Sequence, residues 1–123
     1  MQKRVLIVDD EPHLRLLYET ELRRAGFETM SAANAEQGLE FVDSMRPDLV
    51  VLDIRMPGMD GVEALQRILD RDNTIPVVLN TAYSSYRDNF MTWAADAYVT
   101  KSSDLGELVS TVRELLHEET VSQ

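Results

Sequence analysis

The sequence predicts an α/β fold built on a parallel sheet. Three short apolar runs, Arg4–Val8 (RVLIV), Asp48–Leu52 (DLVVL) and Ile75–Leu79 (IPVVL), read as strands buried on both faces. Stretches with helical periodicity lie between them. Strands that alternate with helices need crossover connections, and so form a parallel sheet with helices on both faces. A chain of 123 residues suits one domain with one sizeable core.

Each element follows in order. After the first strand, Pro12 suits the first turn of a helix. Apolar residues then fall on one face at Leu14, Leu17, Tyr18, Leu22 and Ala25, with Gly26 as the stop. Phe27–Ala32 reads as a more polar strand. Asn34 with Gln37 resembles a capping box, and Leu39, Phe41, Val42 and Met45 carry the second helix to Pro47. Asp48–Leu52 is the third strand. Asp60 with Glu63 opens a third helix whose Val62, Leu65, Ile68 and Leu69 face inward. Ile75–Leu79 is the fourth strand. Ser85–Ala94 is a weaker fourth helix, packed by Met91 and Trp93. Ala97–Thr100 is the fifth strand, and Asp104 with Glu107 starts a fifth helix carrying Leu105, Leu108, Val112, Leu115 and Leu116. Five β-α units predict the flavodoxin-like (βα)5 three-layer arrangement, its parallel five-stranded sheet ordered 2-1-3-4-5. No internal repeat or linker breaks the pattern. Residues 1–123 are therefore expected to form one domain, with no effector domain in this chain.

Composition narrows the function classes. Twelve basic against 22 acidic residues leave a net charge of −10. Such a surface repels phosphate backbones and anionic lipid, so neither direct nucleic-acid binding nor membrane binding is expected. The absence of cysteine removes disulfides, thiolate metal sites and cysteine nucleophiles. The apolar run at the N-terminus, Val5–Val8, stops at two aspartates and is too short for a signal peptide or membrane span. A cytoplasmic protein is expected. His13 and His117 have no metal-ligand partner at suitable spacing and read as surface residues.

The polar residues with chemical potential all fall at strand ends. Asp9, Asp10 and Glu11 follow strand 1, Asp53 follows strand 3, Asn80 and Thr81 follow strand 4, and Lys101 follows strand 5. In a parallel sheet these ends share one rim, and strands 1 and 3 flank the point where the strand order reverses and ligands bind. Crowded carboxylates repel one another, and a hard divalent cation with oxygen ligands is the simple remedy. A lysine and a hydroxyl opposite the acids complete a cradle for a phosphoryl group, and an aspartate can be the nucleophile. Taken singly, each residue has a plainer explanation: Asp10 or Glu11 as a helix cap, Asp53 as the start of a turn, Lys101 as a solvated lysine. Their joint placement at four strand ends favours the site.

With those positions in view, the chain resembles the receiver domains of two-component response regulators. LIVDDE (Leu6–Glu11), LDIRMPGMDG (Leu52–Gly61), Thr81-Ala82 and Tyr98-Val-Thr-Lys101 carry the likeness over essentially the whole length. The resemblance implies Asp53 as phosphoacceptor and Mg²⁺ as cofactor. It implies Asp10 as the direct metal ligand, Asp9 as a ligand through water, Asp53 itself, and the backbone carbonyl of Arg55. Lys101 would pair with the phosphoryl oxygens, Thr81 would donate its hydroxyl to one, and Tyr98 would move inward with Thr81. A histidine kinase or histidine phosphotransfer protein would be the donor, and a downstream protein target would read the switch. Such a receiver catalyses only its own phosphorylation and dephosphorylation and is otherwise no enzyme. Arg55 and Tyr83, bulky residues two positions after Asp53 and Thr81, are expected to slow dephosphorylation by flanking the path of water.

Two departures stand out. Ser102 follows Lys101 where the family usually has a proline with a cis bond. A trans bond is expected here, because a non-proline cis bond costs about 3–4 kcal/mol. Asn80, beside Thr81, is more polar than expected. His13, Leu14 and Leu17 border the expected docking face for a phosphodonor, although Leu14 and Leu17 read more simply as core.

Other readings fit the sequence less well. The chain suits a receiver module cut from a longer regulator such as a transcription factor, although Gly106 and Thr111 stand where basic residues commonly line helix 5 and only Arg113 remains. A degenerate, phosphorylation-independent binding module is disfavoured because the five core site residues are all present. A phosphatase or dehalogenase with an aspartate nucleophile would carry a second acid two residues on, where this chain has Arg55. A nucleotide-binding switch lacks its G-x-x-x-x-G-K-[ST] loop.

Overall fold

A computed structural model of the chain describes residues 2–54, 61–81, 95–101 and 105–116. The elements run β1 (Arg4–Val8), α1 (Pro12–Arg24), β2 (Glu28–Ala32), α2 (Ala35–Met45), β3 (Leu49–Leu52), α3 (Gly61–Arg71), β4 (Val77–Thr81), β5 (Ala97–Thr100) and α4 (Gly106–Leu116). All strand pairs are parallel, and the sheet order is β2-β1-β3-β4-β5. The fold is the flavodoxin-like arrangement predicted, with α4 here being the fifth predicted helix. The predicted fourth helix at 85–94, with Met91 and Trp93, lies outside the described residues. So do the Asp60 and Asp104 caps, His117, and the Lys101–Ser102 bond. Among the described residues, no helix is long and apolar enough to cross a membrane.

Alternation along the strands divides the core into two layers. Leu6, Val8, Val50, Leu52, Val77 and Leu79 point to the layer covered by α2 and α3, where Leu39, Val42, Leu65 and Ile68 meet them. Val5, Ile7, Leu49, Val51, Val78 and Val99 point the other way, against Tyr18 and Leu22 of α1 and Leu108, Val112 and Leu116 of α4. Strands buried on both faces are why the runs read as continuous hydrophobic segments.

Helix ends explain the boundaries. Asn34 caps α2, its side chain accepting the Gln37 N–H at 2.8 Å, while the Gln37 side chain accepts the Ala33 N–H at 2.8 Å. The second bond lands one residue before the cap, a variant of the predicted box. Gly26 takes φ 103° after α1, and the Phe27 N–H reaches back to the Leu22 carbonyl at 3.1 Å, a turn that favours glycine. The plainer reading of Glu11 as a cap of α1 is not met: Glu11 stands at the N-cap without a side-chain cap bond.

Three sequence expectations need correction. The fourth strand is Val77–Thr81, two residues later than predicted. Pro76 has no N–H to give a ladder, and the Val77 N–H is taken at 2.9 Å by the Asp96 carboxylate. Leu17, expected on the inward stripe, is 44% exposed, and Leu14 is only partly buried. The buried line of α1 runs through Tyr18 and Leu22, and Leu17 lies one position, about 100° of helix, to its side. Met45 is likewise exposed, at the last residue of α2.

Gly38 is a packing constraint on this layout. A Cβ there would sit 2.9 Å from Cγ2 of Val8, the residue immediately before Asp9. Alanine gains about 1 kcal/mol over glycine in an open helix, but overpacking a buried branched neighbour costs about 1–3 kcal/mol. Gly38→Ala is therefore expected to lose about 1 kcal/mol net, and urea unfolding will read it. A gain in stability would show that Val8 yields freely.

Candidate functional site

The site is assembled by the register of the central strands. Val8 pairs with Leu52, so the next residues, Asp9 and Asp53, stand side by side just past the ends of β1 and β3. Their backbones stay in the ladder: Asp9 N–H donates to the Ala32 carbonyl at 3.1 Å and Asp53 N–H to the Val8 carbonyl at 3.0 Å. Both side chains are nearly enclosed, Asp9 at 2% and Asp53 at 5% exposure. Asp9 Oδ1 accepts the Glu11 N–H at 3.0 Å, turning the chain into α1, and the Arg15 guanidinium donates to the Asp9 carbonyl at 2.7 Å. Asp10, half-buried, completes the group, and the three residues bring one carboxylate oxygen each within 4.8 Å of one another.

Lys101 comes in from the end of β5, where its N–H donates to the Thr81 carbonyl at 2.7 Å. Its ammonium lies 2.9 Å from Asp9 Oδ2 and 3.2 Å from Asp53 Oδ2. Burial works against this charge, but the hydrogen bond to Asp9 and the charges of Asp53 and Asp9 outweigh it and hold the Lys101 pKa above the ordinary lysine value. One ammonium among three carboxylates leaves net negative charge at a mostly enclosed rim. A set of hard oxygen donors of this kind fits a small divalent cation.

Thr81, fully buried, pairs with Thr100, and Leu79 pairs with Tyr98. Alternation therefore sets Thr81 on the same face as Tyr98, which packs against the α2/α3 layer. The predicted site residues Asp9, Asp10, Asp53 and Lys101 are thus brought into one cluster. Thr81 stands at the neighbouring strand end, with Tyr98 diagonal to it. Arg55 and Tyr83 lie outside the described residues. His13 is exposed on the first turn of α1, as expected.

One pair escaped the sequence reading. Tyr18 of α1 and Asn80 of β4 are each only 3% exposed, two buried polar side chains on the α1 side of the sheet. Burial raises the Tyr18 phenol above the ordinary tyrosine value. The nearby Asn80 side chain and the Lys101 charge oppose this, and the charges of Asp9 and Asp53 add to it. The signal was available: a buried asparagine and a buried tyrosine each need a partner, and both point to the same layer.

The profile of the family described as response regulator receiver domain matches residues 5–113. The chain belongs to this family. As a receiver domain it is 45% identical over 83 residues to the sporulation initiation phosphotransferase F of Bacillus subtilis, covering 68% of this chain and 67% of that protein. Among solved structures, the response regulator protein TrrA of Thermotoga maritima in complex with Mg(2+)-BeF matches at a TM-score of 0.89 and 44% identity. That match covers 93% of this receiver and 99% of that chain. TrrA in complex with the histidine kinase ThkA matches at a TM-score of 0.88, also at 44% identity, over 94% of this receiver and 99% of that chain. Against longer curated relatives, regulatory and DNA-binding proteins, the chain spans only 25% to 50% of their length.

Proposed function

We propose that this receiver takes a phosphoryl group onto Asp53 in a Mg²⁺-dependent reaction and passes the resulting change to a protein partner. The observation that carries the reading is the cluster of Asp9, Asp10 and Asp53 bridged by the Lys101 ammonium. A carboxylate oxygen of Asp53 attacks phosphorus in line, the donor's leaving group departs with its bonding pair, and an acyl phosphate forms. Asp10, Asp53, the carbonyl of Arg55 and, through water, Asp9 would hold the metal. Bound there, Mg²⁺ supplies positive charge to the phosphoryl oxygens.

The chain's own residues do the rest. Lys101 provides the second positive charge. Thr81 donates its hydroxyl to a phosphoryl oxygen, and Tyr98, on the same face, follows it inward. A local charge event thereby biases a two-state element. Arg55 and Tyr83 slow loss of the phosphoryl group. The receiver catalyses its own phosphorylation and dephosphorylation and nothing else. A histidine kinase or histidine phosphotransfer protein is the donor, a reading supported by the complex of TrrA with ThkA. The net charge of −10 favours a protein target over nucleic acid or membrane, in the cytoplasm.

Intact-protein mass after incubation with acetyl phosphate and Mg²⁺ tests the reading. One phosphoryl increment is expected, and none when a chelator is present. No increment from acetyl phosphate or from a phosphorylated histidine donor would leave a binding module in place of a phosphoacceptor.

A further inference from the structure

Arg15, half-buried at the start of α1, is a cation to which the proposed phosphoryl transfer gives no role. Its guanidinium donates to the Asp9 carbonyl at 2.7 Å, and its backbone N–H donates to the Glu11 carbonyl at 3.1 Å. One residue thus grips the β1–α1 turn on both sides of Asp10. Asp9 is almost wholly buried, and a buried carbonyl needs a partner. The plain reading is that Arg15 only supplies one.

The placement of Asp10 argues for more. Lys101 reaches Asp9 and Asp53, while among the described residues no hydrogen bond or ion pair holds the Asp10 carboxylate. Its direction is left to the backbone, which has two soft dihedrals at each residue. The Asp9–Asp10 peptide plane is held through its carbonyl by Arg15. The Asp10–Glu11 plane is held through its N–H, which donates to Asp9 Oδ1 at 3.0 Å. Both planes that flank Asp10 are therefore pinned, one of them by Arg15. Mg²⁺ demands near-octahedral geometry with short bonds, so a ligand that swings costs affinity.

We propose that Arg15 is a positioning residue of the metal site: by holding the Asp9 carbonyl it fixes the peptide that aims the Asp10 carboxylate at Mg²⁺. This deepens the proposed function and rests on Asp10 being a metal ligand. The sign of the effect separates positioning from charge. A guanidinium beside three acids offsets part of the field that attracts a cation. Removing its charge alone would tighten Mg²⁺ binding, whereas removing its grip weakens it.

The test titrates Mg²⁺ into wild type, Arg15→Met, Asp10→Asn and the double variant, each shown to be folded by its thermal melt. Dissociation constants are read from amide shifts in NMR, and phosphoryl uptake from acetyl phosphate is measured beside them. Arg15→Met is expected to weaken Mg²⁺ binding about tenfold. On the Asp10→Asn background the same substitution is expected to change it by about twofold or less, because Arg15 acts through Asp10. Arg15→Gln, with a shorter and neutral side chain, takes the place of Arg15→Met should that variant not fold. Unchanged or tighter binding by Arg15→Met would overturn the proposal. An equal loss on both backgrounds would do so too, since Arg15 would then support the turn in general. A wild type that binds Mg²⁺ no better than Asp10→Asn would remove the premise and the proposal with it, and uptake would still show whether Asp53 is the acceptor. If uptake is absent while Arg15→Met loses Mg²⁺ as expected, the acceptor reading fails and the role of Arg15 stands.

Discussion

Asp53→Asn should abolish phosphoryl uptake and, at the same time, raise the melting temperature of the metal-free protein. The first effect follows from chemistry: a neutral amide is no nucleophile toward phosphorus, and loss of a nucleophile costs more than about a thousandfold. The second follows from charge. Among the described residues, Asp53 lies in a cluster with the carboxylates of Asp9 and Asp10 and pairs with the Lys101 ammonium, within a mostly enclosed rim. Removing its charge should stabilise the protein by about 1–2 kcal/mol, or about 4 °C in melting temperature per kcal/mol. Added Mg²⁺ should raise the melting temperature of wild type more than that of Asp53→Asn, because the variant has lost a ligand. Thermal melts with and without Mg²⁺, beside mass spectrometry, measure all three quantities. Phosphoryl uptake by the variant at the wild-type rate would place the acceptor elsewhere, and a lower melting temperature would refute the account of the cluster as net repulsive.

Lys101→Met should act in the opposite direction on stability. It strips the counter-charge from Asp9 and Asp53, both nearly enclosed, and leaves buried charge uncompensated. Breaking such a group by removing one partner costs about 3 kcal/mol. Mg²⁺ should restore part of that loss, since the metal and the ammonium answer the same negative charge. The pH dependence has a definite sign. Burial lowers the Lys101 pKa, but the Asp9 hydrogen bond and the charges of Asp53 and Asp9 raise it further, so the folded value lies above the unfolded one. The stability it contributes is therefore complete below the unfolded lysine value, about pH 10.4, and is lost as pH climbs through the folded value. The stability difference between wild type and Lys101→Met should be level from about pH 8 to 9.5 and shrink only above about pH 10.5. Chemical denaturation across that range measures it. A difference that decayed below about pH 9.5 would mean that another group sets the balance.

Much of this was legible in the residues, for identifiable reasons. Arg4–Val8 was predicted to the residue because a strand buried on both faces and stopped by polar residues leaves little other reading, and the weaker run Ala97–Thr100 also matched its strand. Asp9, Asp10, Asp53 and Lys101 were legible as a group because the ends of parallel strands fall on one rim whatever the helices do. What escaped was relational. The start of β4 depended on Asp96, a residue 19 positions away that claims the Val77 N–H. Leu17 fits an apolar stripe in sequence, but which edge of that stripe meets the sheet depends on how α1 sits. Asn80 looked like an anomaly because burial of a polar end beside Tyr18, itself read as ordinary core, shows only in three dimensions. Each was half of a pair, and periodicity reads one element at a time.

The position of Lys101 has a consequence for how activity fails. Asp9 and Asp53 follow the sheet's inner strands, β1 and β3, each of which has two neighbours. Lys101 follows β5, an edge strand, which pairs with β4 alone. Edge elements open more readily than the centre. Detachment of β5 would withdraw the Lys101 ammonium from the cluster while both hydrophobic layers around β1 and β3 stayed in place. The protein would then still be compact by any global probe, yet its rim would carry three acids without their lysine. Signalling competence in this chain is therefore tied to the local stability of an edge strand, and heat or denaturant should silence the receiver before unfolding it.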